Sequence, residues 1–175
     1  MPISASVASL LSAGLGGFLG SALSQVVQFV DRQRRGRRIS AALARELREV
    51  NSDIQEKLDW LRRRIHPDEL GEADSERILE VDGVLRYLGE REEFTAARPY
   101  WQVKYTEVVE AVSDEKFSRI HEMYRLVDRF EEKFKELKLT FKTNLGDKCK
   151  MATRIFHDLE RIGAQLNSKV GKSTK

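Results

Sequence analysis

The sequence predicts an all-α protein in which a single N-terminal transmembrane helix precedes an antiparallel bundle of four to five helices. Three observations support this class. Proline occurs only three times in 175 residues. From residue 39 to residue 166, apolar residues recur at three- and four-residue spacing, and no stretch alternates with the two-residue period of a strand. Residues 1–30 contain no charged side chain, whereas a bilayer core needs only about 20 apolar residues to be crossed by a helix.

Charge divides the chain into four blocks. The neutral residues 1–30 are followed by residues 31–65 with 11 basic and 6 acidic side chains, residues 66–141 with 12 and 19, and residues 142–175 with 8 and 3. We therefore expect the basic helices at both ends to pack against acidic helices in the middle. This attraction is expected to guide topology more than stability, because exposed ion pairs contribute little and are screened by salt.

The first predicted element is a membrane-inserting helix at residues 1–30. As a helix, the uncharged stretch from residue 3 to residue 30 would be about 42 Å long at about 1.5 Å per residue. A cleaved signal peptide would need basic residues before the apolar run, and residues 1–6 have none. The basic residues follow instead, in a juxtamembrane segment at residues 31–38. The positive-inside rule then predicts a single-pass membrane protein whose C-terminal domain is cytoplasmic.

Two sets of residues in these segments are candidate binding sites. Small residues recur every four positions and predict a smooth face for self-association of the helix in lipid. The residues of this face are Ser12, Gly16, Gly17, Gly20 and Ser24. The arginines directly behind the apolar run either set the topology or also attract anionic lipid headgroups. They are Arg32, Arg34, Arg35, Arg37 and Arg38. Nucleic-acid binding ranks last, because the aromatic residues lie at core spacing and not among the basic ones.

The bundle is predicted at residues 39–168, and its first helix has the clearest period. Its apolar stripe consists of Ile39, Leu43, Leu47, Val50, Ile54, Leu58, Leu61 and Ile65. Pro67 is expected to end this helix, because the residue before a proline is disfavoured in the helical region. After an acidic loop, Asp74 or Ser75 can cap the second helix, and Gly89 marks its expected end.

Three further helices complete the predicted bundle. Pro99 is expected in the first turn of a short helix, where its missing amide hydrogen is not needed. Ser113 or Asp114 is expected to cap the longest helix, whose apolar residues continue to Phe141 before a break at 144–146. The last helix is carried by Met151, Ile155, Leu159, Ile162 and Leu166. Residues 169–175 are predicted to form a basic tail.

Residues with catalytic or metal-binding chemistry are sparse in the sequence. The three histidines do not occur at metal-ligand spacing, and the glycines between residues 14 and 20 lack the Lys-Ser/Thr of a phosphate-binding loop. Cys149 lies between Lys148 and Lys150, which would lower its thiol pKa, but no catalytic partner is placed by spacing, so an inert thiol is favoured. We therefore expect no enzymatic activity, no metal and no cofactor.

The sequence favours a membrane-anchored, non-enzymatic interaction module that self-associates through its apolar helix and binds or regulates a partner on the cytoplasmic side. The expected partners are the membrane, a second copy of the chain and a further protein, and nucleic acid is disfavoured. One alternative is a membrane-perturbing or pore-forming effector, because a glycine-rich apolar helix ahead of a helical bundle resembles the layout of cell-death membrane-targeting domains. The other alternative is a soluble helical adaptor that uses the N-terminal helix as part of its core.

Overall fold

The described part of the chain is helical apart from short connections and contains no strand, as the sequence predicts. The computed structural model describes the backbone of residues 4–65, 75–91 and 94–172, and the side chains of residues 24–65, 79–90, 94–144 and 147–172. Within these residues the α-helices are α1 (Ser4–Ile65), α2 (Ser75–Arg91), α3 (Pro99–Ala111), α4 (Asp114–Leu139) and α5 (Leu145–Lys172). A 3-10 turn at Thr140–Lys142 follows α4.

α2 and α3 form two segments of one column that runs antiparallel to α1. The ring of Trp60, near the end of α1, lies 6.0 Å from the ring of Tyr87 in α2. Further along the column, the backbone of Gly36 in α1 approaches the carbonyl of Ala111 at the end of α3. As the residue number falls along α1, it rises along α2 and α3, which is the pattern of an antiparallel pair.

The other two helices complete an up-down-up-down bundle of four columns. α4 runs parallel to α1, because its earlier and later residues contact earlier and later residues of α1. α5 returns antiparallel to both. The pairs that show these directions are Glu46 with Tyr124, Lys57 with Phe134, Asn51 with Asn167, Arg62 with Glu160, and Glu122 with Lys169.

The core is built from the stripes that the helical period predicts. All eight residues of the predicted α1 stripe, from Ile39 to Ile65, are at most 3% exposed. The α4 stripe is buried from Ile120 to Leu137, and its outer members Phe117 and Phe141 are partly buried. Burial of one such side chain stabilises the fold by about 1.5–3 kcal/mol, so packing against neighbouring helices holds these segments in place.

Gly89 does not end α2, as the sequence suggested, but lies inside it, because the helix continues to Arg91. A Cβ atom at position 89 would lie 2.6 Å from the ring of Phe141. The glycine therefore permits a close approach of α2 to the turn after α4. Pro99 and Ser113 do occupy the first-turn and N-cap positions predicted for them, although Ser113 makes no side-chain capping bond.

α5 is longer than the sequence predicts at both ends. It begins at Leu145, inside the expected break, and continues to Lys172, into the region expected to be a tail. Val170 is buried, and the Nζ atom of Lys169 lies 2.9 Å from a carboxylate oxygen of Glu122. Met151, expected on the apolar face, is exposed, and Ala152 beside it is buried instead.

Among the described residues, two ion pairs join a lysine of α5 to an acidic side chain of the middle block, and a third pair, with the charges reversed, joins a lysine of α4 to an aspartate of α5. Lys148 pairs with Asp82 of α2, and Lys169 pairs with Glu122 of α4. Lys148 and Asp82 are both largely buried, whereas Lys169 and Glu122 are more exposed. The segregation of charge in the sequence therefore matches contacts between the basic C-terminal helix and two acidic-block helices.

Candidate functional site

Residues 24–35 of α1 project from the bundle. All the described side chains from Ser24 to Arg38 are exposed, apart from the partly exposed Gly36, and Ile39 is the first buried residue of the helix. Val26 and Phe29 are 60% and 61% exposed, although both are apolar. Neighbouring exposed apolar side chains mark surfaces that contact another protein or a membrane. We call residues 24–30 the projecting segment.

Five exposed arginines follow the projecting segment on the same helix. We call this set the arginine collar, and it consists of Arg32, Arg34, Arg35, Arg37 and Arg38. At about 100° per residue these positions are distributed around the whole helix, within a rise of about 9 Å. A ring of positive charge is expected on a helix that passes through an anionic layer. The headgroup layer on one side of a bilayer is about 5–8 Å thick, which is close to the rise of the collar.

The end of the α3–α4 hairpin lies beside the collar. A Cβ atom at Gly36 would lie 2.5 Å from the backbone oxygen of Ala111, so only glycine allows this approach. The hydrogen bond from Lys104 lowers the pKa of the Glu107 carboxyl, and the positive charge of Arg35 lowers it further. One side of the collar is therefore close to an acidic residue of α3.

The carboxylate of Glu46 in α1 binds the N-terminus of α3 and so positions α3 against α1. Glu46 is buried, and its Oε2 and Oε1 atoms accept hydrogen bonds from the amides of Tyr100 and Trp101 at 2.6 and 3.2 Å. The hydroxyl of Tyr124 donates to Glu46 Oε1 at 2.5 Å. Burial and this hydrogen bond raise the pKa of Tyr124. The arrangement satisfies free amides at a helix start with a negative charge, which the helix dipole favours.

A second buried group holds the connection before α3. The amide of Ala96 donates to Glu131 Oε1 at 2.7 Å, and Arg98 Nη2 donates to Glu131 Oε2 at 2.5 Å. Arg98 also pairs with Asp128. Neither buried group is predictable from the sequence, because Glu46 and Glu131 each lie within a charged helical pattern that resembles a solvated face.

The predicted self-association face falls mainly outside the described side chains. Ser12, Gly16, Gly17 and Gly20 lie in the helical backbone of α1, and only Ser24 belongs to the described side chains, where it is exposed. Among the described residues, no helix is both long and apolar enough to span a membrane. Most of the apolar residues behind the membrane prediction lie at positions 1–23, outside the described side chains, so the prediction remains open.

Among the described residues, the groups considered for chemistry lie apart from one another. His121 and His157 are exposed on different helices, and within the described residues no group of three or more His, Cys, Asp or Glu could hold a metal ion. Burial raises the pKa of the Cys149 thiol, and the negative charge of Asp82 raises it further. The lowering considered from the sequence is therefore wrong, because the amino group of Lys148 pairs with Asp82.

Comparison with known proteins gives no match. No protein-family model matches the chain, and neither a curated protein nor a solved structure matches it.

Proposed function

We propose that this protein is a membrane-anchored, non-enzymatic interaction module. Residues 1–30 insert into a bilayer, the arginine collar lies in the layer of anionic headgroups, and the bundle binds or regulates a protein partner on the cytoplasmic side. The inserted helices of neighbouring copies associate through the small-residue face that contains Gly16 and Gly20.

The observation that carries this proposal is the projecting segment, in which exposed apolar side chains lead directly into a ring of exposed arginines on one continuous helix. Burying Val26 and Phe29 in lipid would be favourable at roughly 25 cal/mol per Å² of apolar surface. Each collar arginine near an anionic surface adds about 1 kcal/mol of attraction. Both contributions favour the same position of the helix, with the collar at the membrane surface.

The two alternative functions each require contacts between the N-terminal helix and the bundle. A soluble adaptor that uses this helix as core requires its apolar side chains to be buried in the bundle, and Val26 and Phe29 are mostly exposed. A pore-forming effector that stores the helix against the bundle requires contacts between the two. The described residues 24–35 make no part of the buried core.

Flotation and carbonate extraction of the full chain test the anchor. We expect the protein to float with vesicles of mixed neutral and anionic phospholipid, and to stay with the membrane pellet at alkaline pH. A chain that remains in the supernatant in both assays contradicts the anchor and supports the soluble adaptor. Release of an encapsulated dye from the same vesicles would instead support the pore-forming effector.

Substitution of two small residues tests the self-association of the inserted helix. Gly16→Ile with Gly20→Ile places branched side chains where close backbone approach is proposed, so oligomers in detergent should be lost. The matched control is Leu15→Ile with Leu19→Ile, which changes side-chain shape elsewhere on the same helix. Oligomers that survive the glycine substitutions contradict the proposed face.

A further inference from the structure

A groove lies between the C-terminal end of α1 and the exposed side of α2, far from the arginine collar. We call it the α1–α2 groove, and its volume is about 650 Å³. Trp60 and Tyr87 line it as one aromatic surface, with Gly83 and Val84 beside them. Trp60 is 22 residues beyond Arg38 on α1, a rise of about 33 Å. The groove would therefore face water when the collar lies at a membrane.

Among the described residues, no side chain packs against Gly83. It is exposed in the middle of α2, and a Cβ atom built on it meets nothing within 4 Å. A Cβ atom at Gly171 likewise meets nothing within 4 Å, whereas one at Gly36, Gly89 or Gly163 would lie within 2.6 Å of another atom. Glycine inside a helix is less stable than alanine by about 0.5–1 kcal/mol. Gly83 lies in the α1–α2 groove, so the open space above it leaves room for a side chain of another molecule.

The charges around the groove favour a short acidic ligand over a long polyanion. Arg63 and Arg64 are exposed at its edge, and Glu80 is the one carboxylate among its described lining residues. The guanidinium carbon of Arg64 lies 5.9 Å from the centroid of the Trp60 ring. A long polyanion such as RNA is disfavoured, because Glu80 lies in the groove and residues 66–141 carry more acidic than basic side chains.

We propose that the α1–α2 groove binds a segment of a partner protein that carries a bulky apolar side chain next to acidic residues. The apolar side chain packs against Trp60 and Tyr87 in the space above Gly83, and the carboxylates pair with Arg63 and Arg64. Large aromatic residues and arginine are the side chains that most often dominate binding at protein interfaces. This inference rests on the proposed function, in which the bundle binds a partner. It specifies which side chains of that partner are bound.

Selection from a random 12-residue peptide library on the full chain in mild detergent tests the proposal. We expect the selected pool to be enriched in Asp and Glu next to Leu, Ile, Phe or Trp. Gly83→Leu fills the groove and should weaken binding of that pool at least tenfold. Arg63→Glu with Arg64→Glu should do the same by reversing the charge at its edge.

Matched controls keep the result specific to the groove. Ala164→Leu adds three of the four carbon atoms that Gly83→Leu adds, at an exposed position of α5, and Arg125→Glu with Arg129→Glu reverses two exposed charges of α4. Both controls should bind the pool like the unchanged chain, and circular dichroism should show that all variants are folded. A pool without acidic and apolar enrichment, or one that binds equally well to Gly83→Leu, overturns the proposal. Tighter binding of a single-stranded oligonucleotide than of the peptides also overturns it.

Flotation of the same variants separates this inference from the anchor. Groove variants should float with vesicles like the unchanged chain. A chain that binds the selected peptides but does not float contradicts the anchor alone. A chain that floats but selects no acidic, apolar peptides contradicts the groove proposal alone.

Discussion

Gly36 packs against the backbone of another helix, whereas Gly83 faces open space, so replacing each by alanine tests packing at a single residue. Gly36→Ala should lower the free energy of unfolding by about 1–3 kcal/mol, because its Cβ would lie 2.5 Å from the backbone oxygen of Ala111, which cannot move aside without shifting α3. Gly83→Ala should raise it by about 0.5–1 kcal/mol, because the methyl group meets nothing and alanine favours the helix. Urea unfolding of both variants measures the two changes. Equal changes in the same direction would contradict the described environments.

The thiol of Cys149 should react slowly in the folded protein. It is 7% exposed, and burial together with the charge of Asp82 raises its pKa, so little thiolate forms at neutral pH. We expect labelling by an aromatic disulfide reagent at pH 8 to be at least about tenfold slower than labelling of the chain in 6 M guanidinium chloride. Equal rates would show that the side chain is accessible in the native state.

At the scale of helices, the pair between α2 and α5 should make stability depend on pH. The hydrogen bond from Lys148 lowers the pKa of Asp82 below its ordinary value of 3.8. Because the pKa is lower in the folded state than in the unfolded state, the pair stabilises the fold above about pH 4 and this stabilisation is lost as the pH falls through the folded-state value.

Asp82→Asn tests this link between helices. At pH 7 the variant should lose about 1–3 kcal/mol of unfolding free energy, because Lys148 stays largely buried without its charged partner. As the pH falls through the lowered folded-state pKa of Asp82, the difference from the unchanged chain should shrink, since the carboxyl becomes protonated there. The control is Glu115→Gln, which removes an exposed pair with Arg119 within α4 and should change stability little. Equal stability of the variant and the unchanged chain at pH 7 would contradict the role of the pair.

The N-terminus of α3 depends on Glu46 of α1. Glu46→Ala removes the acceptor for the amides of Tyr100 and Trp101 and for the hydroxyl of Tyr124, so unfolding free energy should fall by about 2–3 kcal/mol. Amide hydrogen exchange should increase in α3 more than in α5. The control is Glu49→Ala, whose carboxylate pairs only with the exposed Arg45 among the contacts described. Uniform exchange in both helices would contradict the anchoring of α3 by Glu46.

The periodic elements are predictable from sequence because burial imposes the helical period on a continuous run of residues. The α1 stripe from Ile39 to Ile65 and the start of α3 at Pro99 are confirmed for this reason. The predicted end of the second helix at Gly89 and the predicted start of the tail at Lys169 are wrong. Gly89 packs against Phe141 and Lys169 pairs with Glu122, and both partners come from distant parts of the chain. Local propensity carries no information about such partners.

The candidate site is predictable only in part. The collar arginines are exposed, as expected of groups that contact headgroups, and the self-association face beginning at Ser12 stays a prediction. The α1–α2 groove was missed, because Trp60 and Gly83 come from helices that the sequence cannot place side by side. The one available indication was a glycine inside an amphipathic helix without a turn to explain it.

At the scale of the whole molecule, α1 connects the projecting segment rigidly to the bundle. It is a single helix of 62 residues, and Ala111 contacts it within the collar. Position and rotation of the helix in a bilayer would therefore be transmitted to the bundle without an intervening linker. Association of inserted helices would bring bundles together in a defined orientation, which suits a module that regulates a partner.

The collar should make vesicle binding depend on anionic lipid. Replacing its five arginines by glutamine should weaken binding to anionic vesicles by about fivefold for each charge removed, since each contributes about 1 kcal/mol near the surface. Replacement of all five by lysine keeps the charge and should retain most of the binding. Equal binding of the glutamine variant to anionic and neutral vesicles, at the affinity of the unchanged chain, would contradict a role of the collar in headgroup contact.

The depth of position 27 in a membrane tests the central claim most directly. In a chain with Cys149→Ala, a polarity-sensitive fluorophore is attached through Val27→Cys, and a control chain carries it through Ser52→Cys, an exposed position in the bundle part of α1. With anionic vesicles, we expect the fluorophore at position 27 to shift to the blue and to be quenched by nitroxides on the lipid tails, while that at position 52 stays in water. Identical spectra at both positions, from a chain that remains monodisperse without detergent, would contradict insertion of the N-terminal helix.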